Sequence, residues 1–90
     1  MDLGLSGKVA VVAASSKGLG RASALALARE GARVTICARN EADLDATAEQ
    51  IRRETRAEVL AIQADLTRAE GVTNVVAATV ERFGGVDVLV

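Results

Sequence analysis

Four short apolar runs recur along the chain and predict β-strands. Few polar residues interrupt them, whereas a half-exposed strand would alternate apolar and polar positions. Near-continuous apolar runs of this length are typical of strands covered on both faces, as in a parallel sheet. The four predicted strands are Lys8–Ala13, Arg33–Ala38, Glu58–Gln63 and Val86–Val90.

Three segments between these runs carry the three-to-four-residue apolar spacing of amphipathic helices. The predicted helices are Gly20–Glu30, Glu41–Thr55 and Arg68–Phe83. The first is apolar on most sides, so we expect Ala22 and Ala26 to allow close packing on the sheet. Gly31 follows it directly, which is a usual position for the glycine that ends a helix.

The predicted second and third helices carry capping signals. Asn40 is the expected N-cap of the second. The third has Thr67 before it and Glu70 three residues later, the spacing of a capping box, and it is expected to end at Gly84–Gly85. Its predicted buried stripe consists of Val72, Val75, Val76, Thr79, Val80 and Phe83.

The alternation of strand and helix predicts an α/β protein with a doubly wound parallel sheet, the Rossmann fold, in the strand order 3-2-1-4. The last predicted strand ends the chain within an apolar run, and an uncovered apolar strand is a liability. We therefore expect residues 1–90 to be the N-terminal portion of a single Rossmann domain, truncated after the fourth strand.

Composition narrows the possible functions. The net charge is −1, so the chain as a whole has no electrostatic reason to bind nucleic acid or an anionic membrane. No run approaches the roughly 18 apolar residues of a membrane span. The single Cys37 and the lack of a signal-peptide pattern predict a cytoplasmic protein. The absence of His and Tyr removes the usual proton donors, and no metal-ligand cluster is evident, so we predict no catalytic or metal residue here.

The turn after the first predicted strand is the strongest candidate for ligand binding. It reads Ala14-Ser15-Ser16-Lys17-Gly18-Leu19-Gly20 and leads straight into a helix. Glycines there let a ligand approach the backbone, and the unpaired N–H groups of a helix N-terminus favour a pyrophosphate. The alternative is that Gly18 and Gly20 only make a tight turn. Ser15 and Ser16 can donate to phosphate or ribose oxygens, or simply cap the helix.

Three separated segments resemble one known family. "LSGKVAVVAASSKGLGRASALALAREGARVTICARN", "ADLT" and "FGGVDVLV" follow in the order and spacing of a classical short-chain dehydrogenase/reductase, and are especially similar to the 3-oxoacyl-carrier-protein reductase-like branch. Gly18 and Gly20 match the second and third glycines of the family motif T-G-x-x-x-G-x-G. Ala13 and Ala14 replace its Thr and first Gly, which can narrow the space for the pyrophosphate.

The resemblance implies an oxidoreductase that transfers hydride between a nicotinamide cofactor and a carbonyl or hydroxyl group of a small-molecule substrate. It also implies a homo-oligomer at full length. The family's catalytic Ser and Tyr-x-x-x-Lys follow its N-N-A-G segment, and no residue here matches them, so the substrate site would lie outside this chain. The alternatives are a non-catalytic dinucleotide-binding module and an inactive fragment.

Basic residues favour NADP(H) as the cofactor. Arg39 follows the second predicted strand, whose end reaches the adenosine ribose, and Lys17 lies in the glycine turn. Ala38 stands where NAD binders carry an acid, whereas an Arg nearby accommodates a 2′-phosphate. The alternative for both cations is a solvated surface charge.

Asp65 and Leu66 follow the end of the third predicted strand, and the resemblance implies that they contact adenine. For Asp65 the alternative is a carboxylate that caps the next turn. Asp87 is expected to be structural, and Cys37 to be a small core residue.

Overall fold

The computed structural model describes residues 4–13 and 19–90, and these form a four-stranded sheet with three helices. The strands are β1 (Val9–Ala13), β2 (Arg33–Ala38), β3 (Val59–Gln63) and β4 (Val88–Leu89), and the helices are α1 (Leu19–Arg29), α2 (Glu41–Thr55) and α3 (Ala69–Phe83). All neighbouring strands pair in parallel, in the order β3-β2-β1-β4. The predicted fold class and strand order are therefore confirmed.

The sheet is covered on both faces, which explains the unbroken apolar runs of its strands. On one face α1 and α2 pack against Val12, Val34 and Ile36. On the other face α3 packs against Val11 and Cys37. Successive strand residues point to opposite faces, so both the odd and the even positions must be apolar.

Two of the predicted turn signals are confirmed by the backbone geometry. The side-chain Oδ1 of Asn40 accepts a hydrogen bond from the Asp43 N–H at 3.0 Å and so caps α2. Gly31 has a φ of 93°, in the left-handed region where a side chain is strained. Its N–H donates to the Ala28 carbonyl at 3.1 Å and closes the end of α1.

The fourth strand is shorter than predicted, because a side chain replaces part of its backbone pairing. The Val9 N–H donates to Oδ2 of Asp87 at 2.9 Å, and the Asp87 N–H donates to the Val9 carbonyl at 2.8 Å. Regular pairing with β1 starts only at Val88. The structural role predicted for Asp87 is confirmed.

The buried stripe of α3 differs from the prediction. Gly71, Val75, Thr79 and Phe83 are buried, whereas Val72, Val76 and Val80 are 37–46% exposed. The rotation of the helix is set by buried Thr79, whose hydroxyl lies 2.9 Å from the Thr35 hydroxyl of β2 and 2.7 Å from the Val75 carbonyl. With Thr79 facing the sheet, residues at intervals of four positions from it also face the sheet, and the three valines lie on a more exposed side of the helix.

The predicted packing of α1 is wrong in the same way. Ala24 and Ala28 are buried in the core, whereas Ala22 and Ala26 are exposed. In a helix that is apolar on nearly every side, the sequence pattern does not distinguish the row that faces the sheet.

The capping box predicted before α3 is not formed. The N-cap of α3 is Arg68, which makes no side-chain capping bond. The Thr67 hydroxyl donates to Oδ1 of Asp65 at 2.6 Å, and it accepts no hydrogen bond from the start of α3.

The helices are of moderate length, and α2 and α3 have 15 residues each. Across residues 4–13 and 19–90 no helix is long and apolar enough to span a membrane.

Candidate functional site

A cavity of about 500 Å³ opens at the carboxyl ends of β1, β2 and β3. Its floor is made of small or apolar side chains, and its rim is polar. The floor consists of Ala13, Cys37, Ala38, Ala64 and Leu66, and the rim of Arg39, Asn40, Asp43, Asp65 and Thr67. A mostly apolar cavity with a few polar groups at its edge is the usual form of a small-molecule site.

The loops that follow β2 and β3 are held together by two hydrogen bonds. The Ala64 N–H donates to the Ala38 carbonyl at 3.0 Å. One residue before, Nε2 of Gln63 donates to the Arg39 carbonyl at 3.0 Å. These bonds fix the backbone of Arg39 relative to the loop that carries Asp65. Gln63 was not among the predicted site residues, and its position at the end of β3 was the available signal.

Asp65 closes a tight turn with Thr67. Its Oδ1 accepts from the Thr67 N–H at 3.0 Å and from the Thr67 hydroxyl at 2.6 Å. These two bonds hold the pKa of Asp65 below its ordinary value. Desolvation opposes them, and the charge of Arg39 adds a smaller lowering of the pKa. The turn-capping alternative for Asp65 is thus realised, while a contact with adenine through the second oxygen stays a prediction.

Gly71, in the first turn of α3, lies against the backbone of Asp65. A Cβ atom added at Gly71 would lie 2.1 Å from the Asp65 carbonyl oxygen and 2.9 Å from its carbon. Only glycine therefore lets α3 begin where it does. Sequence reasoning missed this residue, because a glycine within a helix gives no sign of what passes beside it.

The rim carries one positive and two negative side chains. Arg39 is exposed, whereas Asp43 and Asp65 are half-buried. Asp43 lies in the first turn of α2, where its negative charge interacts favourably with the positive end of the helix dipole. The net charge of the described rim is therefore negative, although Arg39 and Lys17 are expected to favour an added phosphate.

Cys37 lies in the floor as a buried residue of the core, as predicted. Its Sγ lies 3.6 Å from the Val12 carbonyl oxygen. Burial raises the pKa of the Cys37 thiol, so the side chain is neutral at physiological pH.

The structure brings together three of the predicted site residues, Arg39, Asp65 and Leu66, around the same cavity. Gly20 is the second residue of α1, and Leu19 begins that helix. The other predicted residues of the glycine turn, Ala14, Ser15, Ser16, Lys17 and Gly18, lie outside the described residues.

A cavity at the carboxyl ends of parallel strands is the place where doubly wound α/β proteins bind nucleotides. The fold and the position of the cavity therefore define a protein of the Rossmann class. Residues 8–90 match the family model described as short chain dehydrogenase, and the chain belongs to that family.

Individual relatives agree with this assignment. The short chain dehydrogenase/reductase astE of Aspergillus oryzae is 41% identical over 86 residues, which are 96% of this chain and 33% of that protein. L-sorbose reductase from Gluconobacter frateurii, solved with NADPH and L-sorbose, superposes with a TM-score of 0.93 at 40% identity over 99% of this chain and 34% of its own.

An alcohol dehydrogenase from Thermococcus sibiricus, solved with 5-hydroxy-NADP, gives a TM-score of 0.84 at 39% identity over 91% of this chain and 35% of its own. The chain thus spans about a third of the length of these relatives.

Proposed function

We propose that this chain forms the adenosine-binding part of an NADP(H)-dependent oxidoreductase, in which hydride passes between the nicotinamide and a small carbonyl or alcohol substrate. One observation carries the proposal. In a chain of the short chain dehydrogenase family, the cavity at the ends of β1–β3 has an arginine on its rim and an alanine where NAD binders carry an acid.

The residues of the cavity fit the adenosine half of such a cofactor. The apolar floor suits the faces of a purine, and Leu66 supplies part of that surface. Oδ1 of Asp65 is engaged by Thr67, which leaves Oδ2 to accept from the exocyclic amine of adenine. Arg39 can bind a 2′-phosphate in two-pronged fashion. The NADPH and 5-hydroxy-NADP named for two similar structures support this choice of cofactor.

The remaining contacts are proposed from the sequence alone. Gly18 and Gly20 would let the pyrophosphate approach the start of α1, and Ala14, Ser15, Ser16 and Leu19 would line the same turn. Lys17 would bind the same 2′-phosphate as Arg39. When bound, the nicotinamide supplies the hydride chemistry, whereas the side chains of this chain bind and orient the cofactor.

Catalysis is assigned to no residue of this chain, because it contains neither Tyr nor His and nothing that matches the family's Ser-Tyr-Lys set. The substrate site would accordingly be formed elsewhere. Residues 1–90 would form the N-terminal portion of one dinucleotide-binding domain, and cytoplasmic location and homo-oligomerisation of a longer form belong to the same proposal.

The test is to titrate the protein with NADPH and NADH at two salt concentrations. We expect tighter binding of NADPH and a smaller difference at high salt, because exposed charges are screened. Arg39→Ala should remove most of the difference. Arg53→Ala is the matched control, since Arg53 is an exposed arginine of α2 outside the cavity wall. Equal or tighter binding of NADH to the unmutated protein would refute the proposal.

A further inference from the structure

We propose that Asp43 limits the preference of this site for NADPH over NADH. Its carboxylate shares the cavity wall with Arg39 and opposes the charge of a 2′-phosphate, which NADH lacks. The inference rests on the proposed function, because it assigns a role within the same adenosine site.

The position of Asp43 is fixed by the start of α2. The Asp43 N–H donates to Oδ1 of the N-cap Asn40 at 3.0 Å, which sets the rotation of the first helical turn. In that rotation Asp43 is half-buried and lines the cavity beside Asn40 and Arg39. Over residues 4–13 and 19–90, its carboxylate has no hydrogen-bond or ion-pair partner, so its charge is not neutralised locally.

The other acid of the rim is better compensated. Asp65 receives two hydrogen bonds from Thr67 and feels the charge of Arg39, which together lower its pKa. Asp43 is therefore the rim carboxylate whose field acts most directly on an added anion. Charges of like sign repel, and a doubly charged phosphate feels roughly twice the repulsion that a single charge would feel at the same distance.

Asp43 also has a plain structural explanation, because an acid in the first turn of a helix stabilises it. Glu41 provides the comparison for this alternative. It lies in the same turn and carries the same charge, but it is exposed and is not part of the cavity wall. A purely structural role predicts the same result for Asp43→Asn and Glu41→Gln, whereas a role in cofactor discrimination predicts different results.

The experiment uses the protein with two small probes of the adenosine site, adenosine 2′,5′-bisphosphate and adenosine 5′-monophosphate. Asp43→Asn should lower the dissociation constant of the bisphosphate by about threefold to tenfold at low salt and change that of the monophosphate by less than twofold. The gain in affinity for the bisphosphate should shrink at high salt. Glu41→Gln should leave the ratio of the two dissociation constants unchanged.

Arg39→Ala separates failure of this inference from failure of the proposed function. Suppose that Arg39→Ala weakens binding of the bisphosphate. If Asp43→Asn then leaves the ratio of the two dissociation constants unchanged, or if Glu41→Gln shifts this ratio equally, the role of Asp43 is wrong and the proposed function stands. If neither probe binds, or if Arg39→Ala changes neither constant, the proposed function fails and this inference fails with it.

Discussion

Replacing Gly71 with alanine should destabilise the protein, although the same replacement normally stabilises a helix. Alanine is favoured over glycine within a helix by about 0.5–1 kcal/mol. At Gly71 the added Cβ would lie 2.1 Å from the Asp65 carbonyl oxygen, and at least 0.9 Å of movement is needed to restore 3.0 Å. The Cβ position is fixed by the helix backbone and the Asp65 atoms are backbone atoms, so no side-chain rotation can relieve the contact.

The expected magnitude follows from these opposing effects. Forcing an extra methyl group into a packed site costs about 1–3 kcal/mol, and more when the backbone has to move. After the helix preference is subtracted, the net loss should be about 1–2 kcal/mol, and each kcal/mol lowers the Tm of a domain this size by about 4–8 °C. The loop of Asp65 should also shift, and the binding of adenosine nucleotides should weaken with it.

The assay is urea unfolding followed by circular dichroism, together with a nucleotide titration of the folded variant. Gly85→Ala is the control, because a Cβ there meets nothing within 4 Å and its φ lies outside the left-handed region. An unchanged or increased free energy of unfolding for Gly71→Ala, with Gly85→Ala neutral, would show that α3 does not depend on this close approach.

Three further predictions concern the core, the pH dependence and the activity. Thr79→Val should lower the free energy of unfolding by about 1–3 kcal/mol, because it leaves the buried Thr35 hydroxyl without its partner. The double variant with Thr35→Val should lose less stability than the sum of the two single variants, and strict additivity would refute the coupling. The depressed pKa of Asp65 contributes stability that is present above the unfolded-state pKa of about 4 and is lost as the pH falls through the folded-state value. Asp65→Asn should remove this part of the acid dependence of the free energy of unfolding, whereas Asp45→Asn should leave it intact. Identical pH profiles for Asp65→Asn and the unmutated protein would contradict this prediction. The 90-residue protein should leave the absorbance of NADPH unchanged with any carbonyl substrate, and turnover that copurifies with it would overturn the assignment of no catalytic residue.

The fold was predictable because local and global signals agree. Each strand is apolar throughout, which fits a sheet covered on two faces, and each helix lies between two such strands. Residues with special backbone roles, Asn40, Gly31 and Gly84, mark helix ends that the structure confirms. These signals act over a few residues and do not depend on partners distant in the sequence.

The rotations of α1 and α3 were not predictable in the same way. Valines occur at neighbouring positions along α3, and the pattern alone assigns all of them to one broad stripe. The narrower row that faces the sheet is selected by the Thr79–Thr35 contact and by the passage of Gly71 beside Asp65, across 44 and 6 positions of the chain respectively. A hydroxyl pair and a missing side chain have no hydrophobic signature, so the periodicity could not reveal them.

In the candidate site too, individual residues could be located from the sequence, but the way they group could not. The ends of β2 and β3 could be located from the sequence, and Arg39, Asp65 and Leu66 do meet at one cavity. Which other charges share that cavity depends on the rotation of α2, which Asn40 sets by capping the Asp43 N–H. A single cation at the end of a strand suggests a site that favours phosphate. If Arg39 and Lys17 bind a 2′-phosphate as proposed, then with Asp43 and Asp65 on the same rim Arg39 would act against a negative background rather than be aided by a positive one. The proposed preference for NADPH would then be a difference between opposing charges, and it should respond to the removal of either sign.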